Sequence, residues 1–117
     1  MINTGRSQLR NARFSDARDA FQQAIKLNPN SAAAEAGLGE VLFQMGRFAD
    51  AVTHQKRAIQ LDGSRSRYHA NLANAYYKLR AYAQAIQYWR RALTLDPKNK
   101  LARSYIRIAE QKLKDGK

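Results

Sequence analysis

The 117-residue chain contains no cysteine, which removes disulfides, thiolate metal sites and a cysteine nucleophile together. That absence fits the cytosol and tolerates an oxidising compartment equally well. Proline is rare: Pro29 and Pro97 are the only two, so long helices are permitted almost everywhere. No run approaches the roughly 18–20 consecutive apolar residues of a membrane span. The polar start from Met1 to Arg13 lacks the apolar segment of a secretory signal. A soluble protein of the cytoplasm is the expectation, with a longer parent chain, of which this is a fragment, left open.

Signs of chemistry are equally sparse. The two histidines, His54 and His69, have no partner at metal-ligand spacing. Gly37 and Gly39 do not follow a strand, so they make no phosphate loop. No pair of carboxylates sits in a run that suits acid–base work. We expect no catalytic residue, no metal site and no cofactor; the chain is not read as an enzyme.

Acidic residues are outnumbered nine to twenty-one, giving a net charge of +12. The excess is uneven. Residues 1–34 carry +3, residues 35–65 are neutral, and residues 66–117 hold twelve basic and three acidic side chains, +9. Such a balance favours acidic partners, whether a protein segment, a nucleic acid or an anionic surface. Hydrophobic residues make up 44% of the chain, enough for a packed core in one domain.

The sequence repeats at a period of 34 residues. Ala17, Ala51 and Ala85 align, as do Ala24, Ala58 and Ala92, and Leu27, Leu61 and Leu95. Phe14, Phe48 and Tyr82 form an aromatic column, and Pro29, Gly63 and Pro97 a turn column. The clearest copies read FSDARDAFQQAIKLNPN, FADAVTHQKRAIQLDGS and YAQAIQYWRRALTLDPK. Apolar residues recur at three- and four-residue spacing, so each copy is two amphipathic helices joined by a turn. Paired alanines let the helix backbones approach closely. The pattern predicts first helices near 2–11, 31–45 and 65–79, second helices near 15–27, 49–61 and 83–95, and a further helix near 100–114. Ser15 and Ser31 are candidate N-caps, and Gly46 a left-handed C-cap. Asn28-Pro29 and Asp96-Pro97 end second helices, because a residue before proline is pushed out of the helical region.

These columns resemble the tetratricopeptide repeat (TPR), a 34-residue helix–turn–helix whose pattern ends in alanine, an aromatic, alanine and proline. The resemblance implies an all-α, right-handed superhelical solenoid of antiparallel hairpins with about seven helices. It gives one domain, 1–117, with repeats at 1–30, 31–64 and 65–98 and a capping helix at 99–115. Departures are visible. The aromatic between the two alanines is Phe21 and Trp89 in the outer copies but Gln55 in the middle one. Glu35 and His69 stand where a large apolar residue is expected, and the first helix of copy one is degenerate. The last helix has Leu101, Tyr105 and Ile108 on one face, with Leu113 beside them, extended by Ile106 and Ala109.

In TPR arrays the first helix of each repeat lines a concave groove. By that resemblance the groove residues are Glu40 and Phe43 in copy two, with Ala33, Ala36 and Gln44 beside them. In copy three they are Arg67, Ala70, Asn71, Asn74, Tyr77 and Lys78. Tyr105, with Ser104 and Ile108, extends the groove at one end, and Arg6, Leu9 and Arg10 at the other. Asn71 and Asn74 lie three apart and share a helix face; asparagine can bond both N–H and C=O of an extended backbone. Phe43 and Tyr77 repeat in register, as core or as docking aromatics. One TPR subgroup holds the terminal carboxylates of heat-shock chaperones in a lysine–asparagine–asparagine–lysine–arginine clamp. The matching positions here are Ile2, Arg6, Gly37, Arg67 and Asn71, or else Ala36, Glu40, Asn71, Leu101 and Tyr105. Neither set is a clamp, so chaperone-tail binding is not implied. The expected function is a protein–protein interaction scaffold that takes an acidic partner segment in the groove. The alternative is nucleic-acid or anionic-surface binding through the basic C-terminal third. Self-association through the first helix is compatible with either.

Overall fold

Six helices follow one another with no strand among residues 13–116, the part of the chain that the computed structural model describes. They are α1 (Phe14–Leu27), α2 (Ala32–Gln44), α3 (Phe48–Leu61), α4 (Ser66–Lys78), α5 (Tyr82–Leu95) and α6 (Lys100–Lys114). Each boundary lies within a residue or so of the one the repeat period predicts. The helix expected near 2–11, and with it Arg6, Leu9 and Arg10, lies outside the described residues. Neighbours in sequence pack against each other, α2 on α3, α4 on α5, and α3 on α4 between the hairpins. The stack is elongated, 43 × 26 × 21 Å.

The turn within each hairpin needs a left-handed residue. Gly46 supplies it at φ 80°, where glycine carries no Cβ penalty. One period later the same place is held by Arg80 at φ 64°. A side chain in this region costs roughly 1–2 kcal/mol, and glycine gives back about 0.5–1 kcal/mol through the unfolded chain. Arg80→Gly is therefore expected to stabilise the protein by about 0.5–1 kcal/mol, read as a rise of a few degrees in Tm by circular dichroism. An unchanged or lowered Tm would mean that Arg80 makes a compensating contact.

The turn between repeats is built three times by one device. Asn28, Asp62 and Asp96 leave the helix in extended conformation. Each accepts, on its side-chain oxygen, the amide of the residue two further on: Asn30 at 3.2 Å, Ser64 at 3.1 Å and Lys98 at 3.3 Å. This Asx turn forms whether proline or glycine follows. Ser64 also donates its hydroxyl to Asp62 at 2.6 Å, and the two bonds hold that carboxyl below the usual carboxylate range. Ser31 caps α2 as expected, accepting from the Ala34 amide at 3.1 Å. Ser15 does not cap α1: the helix begins one residue earlier, and its N-cap is Arg13, which makes no side-chain cap bond. Asn99 caps α6 through the Ala102 amide.

The alanine columns lie at the helix contacts: Ala17, Ala51, Ala58, Ala85 and Ala92 are all at most 1% exposed. The aromatic that opens a second helix wedges against the end of the first. Phe43 meets Phe48 edge-on at 5.2 Å, and Tyr77 meets Tyr82 in the same way at 5.4 Å. The fully buried Phe21 ring occupies the space over Gly37, where a Cβ would lie 2.5 Å from its Cζ. Gly39 gives the same room to Gln55, whose Nε2 donates to the Ala36 carbonyl at 3.0 Å.

Candidate functional site

The first helices of successive repeats, α2 and α4, together with α6, present one continuous face. Two adjoining recesses mark it. One, about 240 Å³, is lined by Glu40, Phe43 and Gln44 of α2, Arg67, Asn71 and Asn74 of α4, and Gly39 and Gln55 at its floor. The other, about 320 Å³, is lined by Phe43, Asn74, Tyr77, Lys78, Trp89, Tyr105 and Ile108. Of the groove residues that the repeat register gives, Glu40, Phe43, Gln44, Arg67, Asn71, Asn74, Tyr77, Lys78, Tyr105 and Ile108 line these recesses. Ala70 is half-buried and packs against the apolar cluster formed by α4, α5 and α6. Ala36 also departs from the expectation. It is fully buried against Ala58 and Tyr68, at the contact between repeats.

Four polar residues of the groove, Glu40, Arg67, Asn71 and Asn74, are already engaged. Arg67 Nη2 lies 2.7 Å from Glu40 Oε1, and Asn71 Nδ2 donates to the same oxygen at 3.2 Å. Asn74 Oδ1 accepts the indole N–H of Trp89 at 3.2 Å. The two asparagines are therefore not simply surface groups awaiting a backbone: Asn71 is tied to Glu40, and Asn74 satisfies a tryptophan that is 2% exposed. Losing the partner of a buried N–H costs roughly 1–3 kcal/mol, least where water can reach it. Because Asn74 borders the open groove, Asn74→Ala is expected to cost about 1 kcal/mol, measured by urea titration. No loss of stability would mean that Asn74 serves ligands alone.

Phe43 and Tyr77 pack edge-on against the next helix and also line the recesses. Trp89 sits 5.8 Å from Tyr77 and 5.4 Å from Tyr105, ring centre to ring centre. Trp89 and Gln55 are groove residues that the first-helix rule missed. The signal available for them was their shared column with Phe21, the position that packs on the next repeat.

The last helix divides its apolar residues between the core and the surface. Ala102, Ile106 and Ala109 pack against the α5 side of the core. Leu101, Tyr105, Ile108 and Leu113 stay exposed, at 65%, 39%, 46% and 50%. Ala102 and Ala109 stand in register with Ala34 and Tyr68, and with Val41 and Ala75, all of them buried. Small side chains at the contact let α6 approach closely and leave its bulky stripe outward.

The histidines are structural. His54 Nδ1 bonds Glu35 at 2.8 Å, and His69 Nε2 bonds the Gly63 carbonyl at 2.9 Å. Among the described residues no group of three or more His, Asp or Glu could hold a metal ion. The basic residues outside the groove point several ways. Arg90 pairs with Glu110 at 3.0 Å, Arg91 lies over the Tyr88 ring, and Lys56 lies over Tyr76. A hydrogen bond from Lys56 to Tyr76 raises its ammonium pKa above the ordinary lysine value.

Family models for the tetratricopeptide repeat match residues 2–66 and residues 66–99. The chain belongs to the tetratricopeptide repeat family, and its fold is the helical-hairpin solenoid of that family. Solved structures with the same fold include the first TPR of Spaghetti (RPAP3) bound to the HSP90 peptide SRMEEVD. It is 21% identical with a TM-score of 0.93, over 95% of this chain and 88% of that one. The first TPR domain of human RPAP3 is 20% identical with a TM-score of 0.94, over 97% and 90%. The Yersinia enterocolitica type III secretion chaperone SycD, in complex with a peptide of the translocator YopD, is 18% identical with a TM-score of 0.88, over 95% and 90%. No curated protein matches this chain in sequence.

Proposed function

We propose that the chain is a non-enzymatic interaction module that binds an acidic segment of a partner protein along the face of α2, α4 and α6. The observation that carries this reading is the continuous groove, in which Phe43, Tyr77, Trp89 and Tyr105 supply aromatic surface beside the exposed Lys78. Rigid aromatic anchors inside a polar rim are what gives a peptide-binding surface its affinity, and cations at the rim steer acidic ligands. Similar folds hold peptides, among them the HSP90 peptide SRMEEVD and a YopD segment. Their presence makes a peptide ligand the natural reading for this groove. It does not extend to the same peptide, because the acidic Glu40 stands beside Arg67 where a carboxylate clamp presents lysine, asparagine and arginine.

The test is panning of a random-peptide library displayed on phage against the folded protein. We expect an acidic consensus whose synthetic peptides lose about tenfold or more in affinity on Lys78→Glu. They should bind normally to Arg90→Glu/Arg91→Glu. If binding instead follows Arg90 and Arg91, or duplex DNA competes at physiological salt, the basic C-terminal surface is the site and the groove reading is wrong. Repulsion from +9 over residues 66–117 works against basic peptides in either case.

A further inference from the structure

The groove is not uniform along its length. In the half lined by α2 and the start of α4 the polar groups satisfy one another, Glu40 with Arg67 and with Asn71. The Glu40 side chain is only 14% exposed, whereas Arg67 is 60% exposed. A ligand carboxylate entering here meets a carboxylate already in place. It would have to draw Arg67 from a group that is largely desolvated, which costs more than taking a cation from water.

The half lined by the end of α4 and by α6 has the opposite character. Tyr77, Trp89, Tyr105 and Ile108 surround a recess of about 320 Å³ with ring and aliphatic surface. Lys78 stands at its edge, and none of the ion pairs among the described residues involves it. Lys112 lies one turn beyond Ile108 on α6 and so shares that face. The apolar stripe is uncovered, and the cations beside it set the charge of what covers it.

We propose that Glu40 acts as a built-in occupant of the groove's polar half, so that a partner segment is selected by a large apolar side chain in the Tyr77–Trp89–Tyr105–Ile108 recess, with a neighbouring carboxylate at Lys78. Acidity alone is not enough for binding, because the second cation and its asparagine are taken. Glu40 is the specificity-determining residue: it rejects segments whose only anchors are carboxylates. This rests on the peptide-groove reading above and names the chemistry of its ligand.

Trp89 is the only tryptophan in the chain, so its emission reports on this recess. The probes are a fluorescein-labelled peptide from the phage selection, and the same peptide with its large apolar residues changed to serine and its acidic residues kept. Binding is followed by anisotropy with the labelled peptides and by Trp89 emission with unlabelled copies. We expect the selected peptide to shift the Trp89 emission on saturation. The serine version should bind about tenfold or more weakly. Tyr105→Ser and Ile108→Ser, both at exposed positions, should each weaken the selected peptide. Glu40→Gln, checked for intact helicity, should raise the affinity of the serine version about tenfold. If the serine version binds the parent as tightly as the selected peptide, if Trp89 emission stays fixed at saturation, or if Glu40→Gln leaves the preference unchanged, the proposal is wrong while peptide binding itself stands. If no peptide is enriched at all, the groove reading fails and this proposal with it.

Discussion

Arginine in place of Ala58 is expected to leave the chain without a cooperative thermal transition. Ala58 has no exposed surface and fills the contact between α2, α3 and α4 with Ala36 and Tyr68. The longer side chain overpacks that contact at a cost of about 1–3 kcal/mol. Its guanidinium would be buried among Ala32, Ala36, Ile59 and Tyr68, and an uncompensated buried charge costs a further 3–5 kcal/mol or so. Together these approach the roughly 5–15 kcal/mol that holds a whole domain folded. Helicity at 222 nm should be largely lost at room temperature. Ala58→Ser, which adds a single oxygen, should melt within a few degrees of the parent. An arginine variant that melts like the parent would show that the repeat register places Ala58 wrongly.

The second large effect is expected at Gly37, the point where one repeat receives the aromatic ring of the one before. A Cβ there would lie 2.7 Å from Phe21 Cδ1 and 2.5 Å from Cζ, and closer still to Cε1. The ring is fully enclosed and cannot swing aside. Gly37→Ala gains about 1 kcal/mol in helix propensity. That offsets only part of an overpacking cost near the upper end of roughly 1–3 kcal/mol, so a net loss of about 2 kcal/mol should appear in urea unfolding. Phe21→Leu removes the clashing ring edge at the cost of a smaller core side chain. The double variant should therefore be more stable than the sum of the single changes predicts, because the two positions touch. Strict additivity, or a stabilised Gly37→Ala, would contradict the close approach.

Nearly all of the helical architecture was legible in the sequence, and the reason is the period itself. Alanine, aromatic and turn columns recur at fixed offsets, so each helix is read several times over. Other features were not legible, for physical reasons. The turn column drew attention to Pro29, Gly63 and Pro97, yet the bonds that close the turns come from Asn28, Asp62 and Asp96 one residue earlier. In α6 two apolar stripes fit the helical period equally well, Leu101–Tyr105–Ile108 and Ala102–Ile106–Ala109. Only the need for close approach to α5 decides between them. The groove positions follow from the repeat register, except where a residue such as Ala36 is drawn into the contact with the next repeat. The pairing of Glu40 with Arg67 joins two helices of different repeats. No local pattern could reveal it, although it changes what the groove can accept.

The interior of the stack is divided. One apolar cluster gathers Phe21, Leu38, Val41 and Leu42 from the first hairpins, and another gathers Ile86, Trp89, Ala102 and Ala109 from the last. Around the seam between them sit Ala36, Ala58 and Tyr68, with the buried polar side chains Gln55 and His69 nearby. Hairpin arrays pass stability only from neighbour to neighbour. Glu40 of α2 and Arg67 of α4 belong to different repeats, so their ion pair is a tie across this seam. The aromatic recess lies mostly beyond the seam, on α4, α5 and α6, with Phe43 of α2 at its margin.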